Sequence, residues 1–263
     1  MKFEVQDASF SYKRDKRVIF SEINFELCEK QVLSVLGPNG VGKTTLMKCM
    51  LGLLPLKTGR AIIDGKHCDT SSDRSLWKEI GYVPQRKAGN FSFSVLEMVT
   101  MGRTAHLGMF AQPGREDKKI VAEALDIVGI SHLKDKQCSQ ISGGELQMAL
   151  IARALALKPK LLILDEPESN LDFRNQLIVL NLIKKLQEDF GISSILNTHY
   201  PSHAMELSDL VLMLNREKPA VCGPVRDVMT EANLRDIFGV QVHIKPVELE
   251  TKTYYSIIPE RIL

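Results

Sequence analysis

The run Gly37-Pro-Asn-Gly-Val-Gly-Lys-Thr44 constrains this chain more than any other stretch. It follows the short apolar segment Gln31-Val-Leu-Ser-Val-Leu36 and precedes Thr45-Leu-Met-Lys-Cys-Met-Leu51, which has helical character and stops near Gly52. A buried strand, a glycine-rich loop and a helix in that order admit few folds, because the loop has to turn with its amides facing inward. Gly37, Gly40 and Gly42 permit backbone angles that a Cβ forbids, so successive N–H groups converge on an anion. The helix that follows brings its positive end to the same place. Lys43 has the reach for outer phosphates, and the Thr44 hydroxyl is placed to ligate Mg²⁺.

A second constellation complements the first. Leu161-Leu-Ile-Leu164 reads as a buried parallel strand that delivers Asp165-Glu166-Pro167 at its C-terminal end, where ligands gather in open α/β sheets. At such a strand end Asp165 is expected to hold Mg²⁺, and Glu166 to orient or deprotonate an attacking water. A solvated strand end with a helix cap would carry the same residues, and the phosphate loop upstream weighs against it. Ser194-Ile-Leu-Asn197 reads as another buried strand, leading to His199, which has hydrogen-bonding capacity toward a terminal phosphate. In Ser142-Gly143-Gly144-Glu145, Ser142 can cap a helix beginning near Glu145 while the glycines leave bare amides. That second set of anion donors is redundant within one chain and points to a pair of chains. His203 stands four residues after His199, a spacing known from metal sites. Pro201 is expected to break the local helix, and no third ligand is evident.

Composition narrows the class. The chain has 263 residues and a formal net charge of +2, with no concentrated basic stripe to suggest a nucleic-acid partner. Lys13, Arg14, Lys16 and Arg17 cluster, but Asp15 interrupts them, as in a solvated hairpin. The five cysteines (28, 49, 68, 138 and 222) are scattered without a C-x-x-C pair, which favours free thiols in a reducing cytoplasm. The amino terminus lacks the apolar core of a signal peptide. No segment approaches the ~18 consecutive apolar residues of a membrane span. A cytoplasmic location is therefore expected, with any service to a membrane performed by docking on another protein.

Three stretches differ in character. Residues 1 to about 85 look β-rich, with strands expected at Lys2–Val5, Val32–Leu36 and Arg60–Ile63, the last ending in an Asp64-Gly65 turn. Residues from about 90 to 158 look mostly helical. Ser94 and Glu97 form a capping-box pattern, and Ile120–Val128 carries helical apolar spacing that stops at Gly129. From Lys160 onward β and α alternate, with Gln176–Phe190 as an amphipathic crossover and Asp209–Leu214 as a further strand.

With these motifs in order, residues 3 to about 239 resemble the ATP-binding subunit of an ATP-binding-cassette (ABC) transporter. Gly37–Thr44 is similar to the Walker A loop, and Leu161–Glu166 to Walker B with its catalytic glutamate. Gln85, in Tyr82-Val-Pro-Gln85, is similar to the Q-loop glutamine, which touches Mg²⁺ or water and senses the membrane partner. Ser142-Gly143-Gly144 resembles the family signature, Ser169-Asn-Leu-Asp172 the D-loop, and His199 the switch histidine. Tyr12 occupies the position of the aromatic that stacks on adenine.

The resemblance implies an α/β fold: a P-loop NTPase (RecA-like) core with an antiparallel β subdomain and a helical subdomain. It places the nucleotide-binding lobe at 1–88 and 159–240, the helical subdomain at 89–158 and a C-terminal extension at 241–263. Lys43, Gln85, Glu166 and His199 would be catalytic, and Thr44, Gln85 and Asp165 would hold Mg²⁺. ATP would be bound by Tyr12, Gly37, Pro38, Asn39, Gly40, Val41, Gly42, Lys43, Thr44 and Thr45, and by Ser142, Gly143, Gly144, Glu145 and Asp172. The implied partners are a second copy in a head-to-tail homodimer, two copies of a polytopic permease and, indirectly, an extracytoplasmic substrate-binding protein. The implied location is the cytoplasmic face of the inner membrane.

Four positions depart from the family pattern: Glu145 replaces glutamine, Glu168 threonine, Asn170 alanine and Tyr200 aspartate. None removes a group the chemistry needs. Ser94–Gly108 and Thr230–Gly239 resemble importers of ferric siderophores, haem, cobalamin and related metal chelates. Asn197-Thr-His-Tyr-Pro201 resembles a branch that includes molybdate or tungstate carriers.

Overall fold

Along the chain the strands are β1 (Phe3–Ser11), β2 (Val18–Leu27), β3 (Val32–Leu36), β4 (Thr58–Ile63), β5 (Lys66–His67) and β6 (Ile80–Val83). They continue as β7 (Leu161–Asp165), β8 (Ser193–Asn197), β9 (Leu210–Met213), β10 (Val221–Pro224), β11 (Val240–Glu248) and β12 (Thr253–Ile262). The α-helices are α1 (Lys43–Met50), α2 (Val95–Thr100), α3 (Arg115–Val128) and α4 (Gly143–Leu155). After them come α5 (Phe173–Phe190), α6 (Pro201–Leu207), α7 (Val225–Val228) and α8 (Glu231–Phe238). This computed structural model describes residues 1–12, 17–68, 76–85, 92–108, 111–250 and 253–263. Of the basic cluster Lys13, Arg14, Lys16 and Arg17, read as a hairpin, only Arg17 is among the described residues.

The chain divides into two compact units, the first made of Met1–Ser72 with Ser193–Leu263 and the second of Asp73–Ile192. In the first, an antiparallel sheet runs in the order β2-β1-β4-β5. Its interior side buries Phe3 and Val5, then Ala8 and Phe10, the two-residue period of a half-buried strand shifted by one at Asp7, φ 48°, where the pairing register slips. The Asp64-Gly65 turn joins β4 to β5 with both residues at positive φ, 46° and 80°, the conformation that makes Asp-Gly a tight hairpin turn.

A second sheet in this unit runs β10-β9-β3-β8, with β3 parallel to β8 and β9 on its two sides. All five residues of β3 are buried, which is why the segment reads as a continuous apolar run rather than an alternating one. Leu36, Val211 and Met213 of this sheet share a core with Ala204, Val228, Leu234, Ile237 and Val242. The antiparallel ribbon β11–β12, with Ile244 opposite Ile257, closes over that core. It accounts for most of the segment read from sequence only as a C-terminal extension.

In the second unit β6 and β7 pair in parallel, with Val83 opposite Leu164. Helices α2, α3 and α4 pack on one another. The buried Arg103 guanidinium ties them by donating to Asp117 Oδ1 and to the Ala156 carbonyl, both at 2.8 Å. The capping box at Ser94 is formed, with Glu97 Oε2 accepting from the Ser94 N–H at 2.7 Å. Helix α5 buries Val179, Leu182, Ile183 and Leu186 on one face and ends at Gly191, φ 68°, the left-handed position suited to glycine.

Candidate functional site

In the first unit, parallel pairing sets the end of β3 beside the end of β8. Val35 lies opposite Asn197, and its carbonyl accepts from Thr198 N–H at 3.2 Å. The loop after β3 and the residue after Thr198 therefore emerge side by side. Lys43, only 5% exposed, turns back over its own loop and donates to the carbonyls of Gly37 at 2.7 Å and Pro38 at 3.2 Å. The same ammonium lies 3.3 Å from His199 Nδ1. An ammonium is donor only, so the Lys43 proton points at Nδ1 and the imidazole accepts there, which leaves the ring proton of a neutral His199 on Nε2.

The loop shape requires its glycines at two positions. Gly42, the N-cap of α1, has φ 114°, and a Cβ on it would stand 2.4 Å from Ile19 Cγ2. Gly37 has φ 152° and would bring a Cβ to 2.6 Å from the Leu214 carbonyl oxygen. Thr44 and Thr45 occupy the first turn of α1. The Tyr12 hydroxyl is 3.3 Å from Thr45 Oγ1, and its exposed ring meets Phe10 edge-on with centroids 5.0 Å apart. The structure thus gathers Tyr12, Gly37–Thr45 and His199.

A brace that sequence reasoning missed comes from Arg216, which donates to the Asn39 carbonyl at 2.8 Å across a separation of 177 residues. No local pattern announces such a pair. Pro201 also differs from expectation. It stands at the first position of α6 and opens that helix rather than breaking one, because a proline lacks only an N–H that the first turn would leave unpaired. His203 lies against Tyr200 with ring centroids 4.7 Å apart and the planes tilted by 34°.

In the second unit, β7 ends at the buried Asp165, and the next residue, Glu166, has φ 51°. Gln85, two residues beyond β6, donates its side-chain amide to Glu166 Oε2 at 2.6 Å. Tyr82, on β6, hydrogen-bonds the Asp165 carboxylate. Burial first, and then that neighbouring charge and hydrogen bond, push its phenol up to about 12. In the sequence Tyr82 stands out only as part of the Gln85 motif. The parallel register of β6 and β7 is what makes it a partner of Asp165.

Ser142 caps α4 in a full capping box: its hydroxyl accepts from Glu145 N–H at 3.3 Å, and Glu145 Oε2 accepts from Ser142 N–H at 2.7 Å. Donation to its carboxylate, first from the Ser142 N–H and then from the Ser142 hydroxyl, holds the Glu145 carboxyl below the usual carboxylate range. Asp172 caps α5 by accepting from Asn175 N–H at 2.8 Å and from the Asn175 side-chain amide at 3.1 Å. A Cβ on Gly144 would stand 2.5 Å from Asn175 Cγ. Asn175, missed from sequence, therefore joins the start of α5 to the signature turn. Buried Cys138 has its thiol pushed up by burial, and buried Cys49 reaches about 12 for the same reason. Both are poor thiolates under ordinary conditions.

A sequence model of the ABC transporter family matches residues 20–169 of the chain. The chain belongs to the ABC transporter family. It is 32% identical over 255 residues, 97% of this chain and 95% of the relative, to the molybdate import ATP-binding protein MolC of Haemophilus influenzae. It is 33% identical over 233 residues, 89% of this chain and 86% of the relative, to the petrobactin import ATP-binding protein FpuC of Bacillus anthracis. A solved chain from an inward-facing metal-chelate type ABC transporter superposes with a TM-score of 0.88 at 32% identity, covering 98% of this chain and 97% of that one. The protein is thus an ABC ATPase that binds nucleotide through a P-loop α/β core with antiparallel strands and a helical segment. ABC ATPase subunits pair with membrane permease components. No helix among the described residues of this one is long and apolar enough to cross a membrane.

Proposed function

We propose that this ABC ATPase drives uptake of a metal chelate, such as a ferric siderophore, haem or cobalamin, while docked on the cytoplasmic face of the inner membrane. The observation that carries the reading is the whole-chain likeness to a metal-chelate type transporter. In this reading two copies form a head-to-tail dimer on two permease subunits, supplied by an extracytoplasmic binding protein. Nucleic acid is not a partner.

Within each chain the proposed roles follow from side-chain chemistry. The amides of Gly37 to Thr45 and the Lys43 ammonium bind phosphate, and Tyr12 stacks on adenine. Thr44, Asp165 and Gln85 offer a hydroxyl, a carboxylate and an amide carbonyl. This all-oxygen set fits Mg²⁺, which keeps its other positions for water and phosphate. When bound, the ion neutralises charge developing on the transferred phosphoryl group. Glu166 takes a proton from the attacking water, or orients it, while His199 hydrogen-bonds the terminal phosphate. Ser142, Gly143, Gly144 and Glu145 meet the nucleotide of the second copy, with Asp172 beside them. The gain in rate rests on positioning and electrostatics rather than on a covalent intermediate.

The likeness to MolC favours a second reading, an oxyanion such as molybdate as cargo. Affinity purification from detergent-solubilised membranes, with partners identified by mass spectrometry, tests the transporter reading. A polytopic permease at equal stoichiometry supports it, and recovery with ribosomal or DNA-associated partners alone refutes it. Reconstituting that complex with its binding protein decides the cargo. Stimulation of ATPase by the ferric-chelate-loaded form supports the first reading, and stimulation by the molybdate-loaded form supports the second.

A further inference from the structure

We infer that Ser169 is a positioning residue for Glu166, an inference that rests on the reading of Glu166 as the group that activates water. Beyond β7 the chain turns through buried Pro167 and Glu168, and Ser169 reaches back to the residue three positions before it. Its backbone N–H donates to the Glu166 carbonyl oxygen at 3.1 Å, and its hydroxyl donates to the same oxygen at 2.9 Å. Two donors on one carbonyl fix the peptide plane that follows Glu166. That plane matters because Glu166 is held at φ 51°, a region that a residue with a Cβ occupies only where its surroundings impose it.

The direction of the Glu166 Cα–Cβ bond is set by this backbone geometry. Its carboxylate is delivered to the side-chain amide of Gln85, 2.6 Å away. Ser169 touches neither nucleotide nor water in this reading and acts only through Glu166. Any residue but proline at 169 keeps the backbone bond. The hydroxyl bond is specific to serine or threonine, which makes the role separable from simple folding.

The test is steady-state ATPase of the permease-bound complex, with a fluorescent-nucleotide titration, on the parent, Ser169→Ala, Ser169→Thr and Glu166→Gln. The expected result is a kcat about tenfold lower for Ser169→Ala, as for a small misplacement of a reacting group. Its KM for ATP and its nucleotide affinity stay within about twofold of the parent, and Ser169→Thr restores kcat. Parent-like turnover by Ser169→Ala overturns the inference. So does a loss confined to KM or nucleotide binding, or a failure of threonine to rescue. Should Glu166→Gln itself turn over at the parent rate, the reading of Glu166 falls and this inference with it. An inactive Glu166→Gln beside a fully active Ser169→Ala removes the Ser169 role alone.

Discussion

The side-chain amide of Gln85 donates to the Glu166 carboxylate over 2.6 Å, joining residues 81 positions apart. The bond engages one carboxylate oxygen of Glu166, Oε2. Under the proposed mechanism Glu166→Gln keeps the shape and loses the base. Hydrolysis is expected to fall by about 10²–10⁴-fold, the usual worth of a general base, with nucleotide affinity changed little. Single-turnover ATPase and an equilibrium nucleotide titration on the same protein check this, and equal turnover by the variant refutes it.

Asn170 follows Ser169 at φ 58°. After glycine, asparagine is among the residues that best tolerate the left-handed region, because its short side chain can hydrogen-bond locally. That is a physical reason for asparagine where the family pattern has alanine. Asn170→Ala is expected to cost about 1 kcal/mol of stability, and Asn170→Gly to be close to neutral. Urea denaturation of the three proteins measures both differences. An alanine variant as stable as the parent contradicts the argument.

Much of the fold was legible because its signals are local. The buried run of β3, the Ser94 capping box and the stop at Gly129 each depend on neighbours within a turn or two. The contacts that shape the candidate site are not local. Arg216 reaches Asn39 across 177 residues, and Tyr82 meets Asp165 only because β6 and β7 lie in parallel register. Glu145 counted as a departure when compared with a family pattern. In the structure its carboxylate completes the Ser142 cap, a task that glutamine also performs. Pro201 was misread because the same ring that breaks a helix interior suits a helix start.

Glu145 also carries a pH dependence. Its carboxyl is held below the ordinary range, first by the Ser142 N–H and then by the Ser142 hydroxyl. A depressed folded value means that its contribution is fully present above the unfolded value of about 4.3. That contribution drains away as pH falls through the lower folded value. Glu145→Gln keeps an acceptor for the cap but removes the charge at the helix start. The variant is expected to be less stable than the parent near neutral pH by a few tenths to about 1 kcal/mol. The gap should close as the medium is acidified below about pH 4. Denaturant midpoints across that range test the claim, and a gap that widens in acid reverses the sign and defeats it.

Tyr82 and Asp165 give the last expectation. Asp165 is only 2% exposed, so its carboxylate has little access to water and depends on protein donors for solvation. Tyr82 supplies one of them, and with its phenol pushed up to about 12 it remains a neutral donor throughout the accessible pH range. Tyr82→Phe preserves the ring packed on β6 and deletes only the hydroxyl. The variant is expected to lose about 1–3 kcal/mol, the cost of leaving a buried charged acceptor short of a donor. The loss should shrink in a Tyr82→Phe, Asp165→Asn double variant, because the acceptor is then uncharged and less demanding. A double-mutant cycle by chemical denaturation measures the coupling directly. Strict additivity of the two single changes would mean that the hydroxyl and the carboxylate do not support one another.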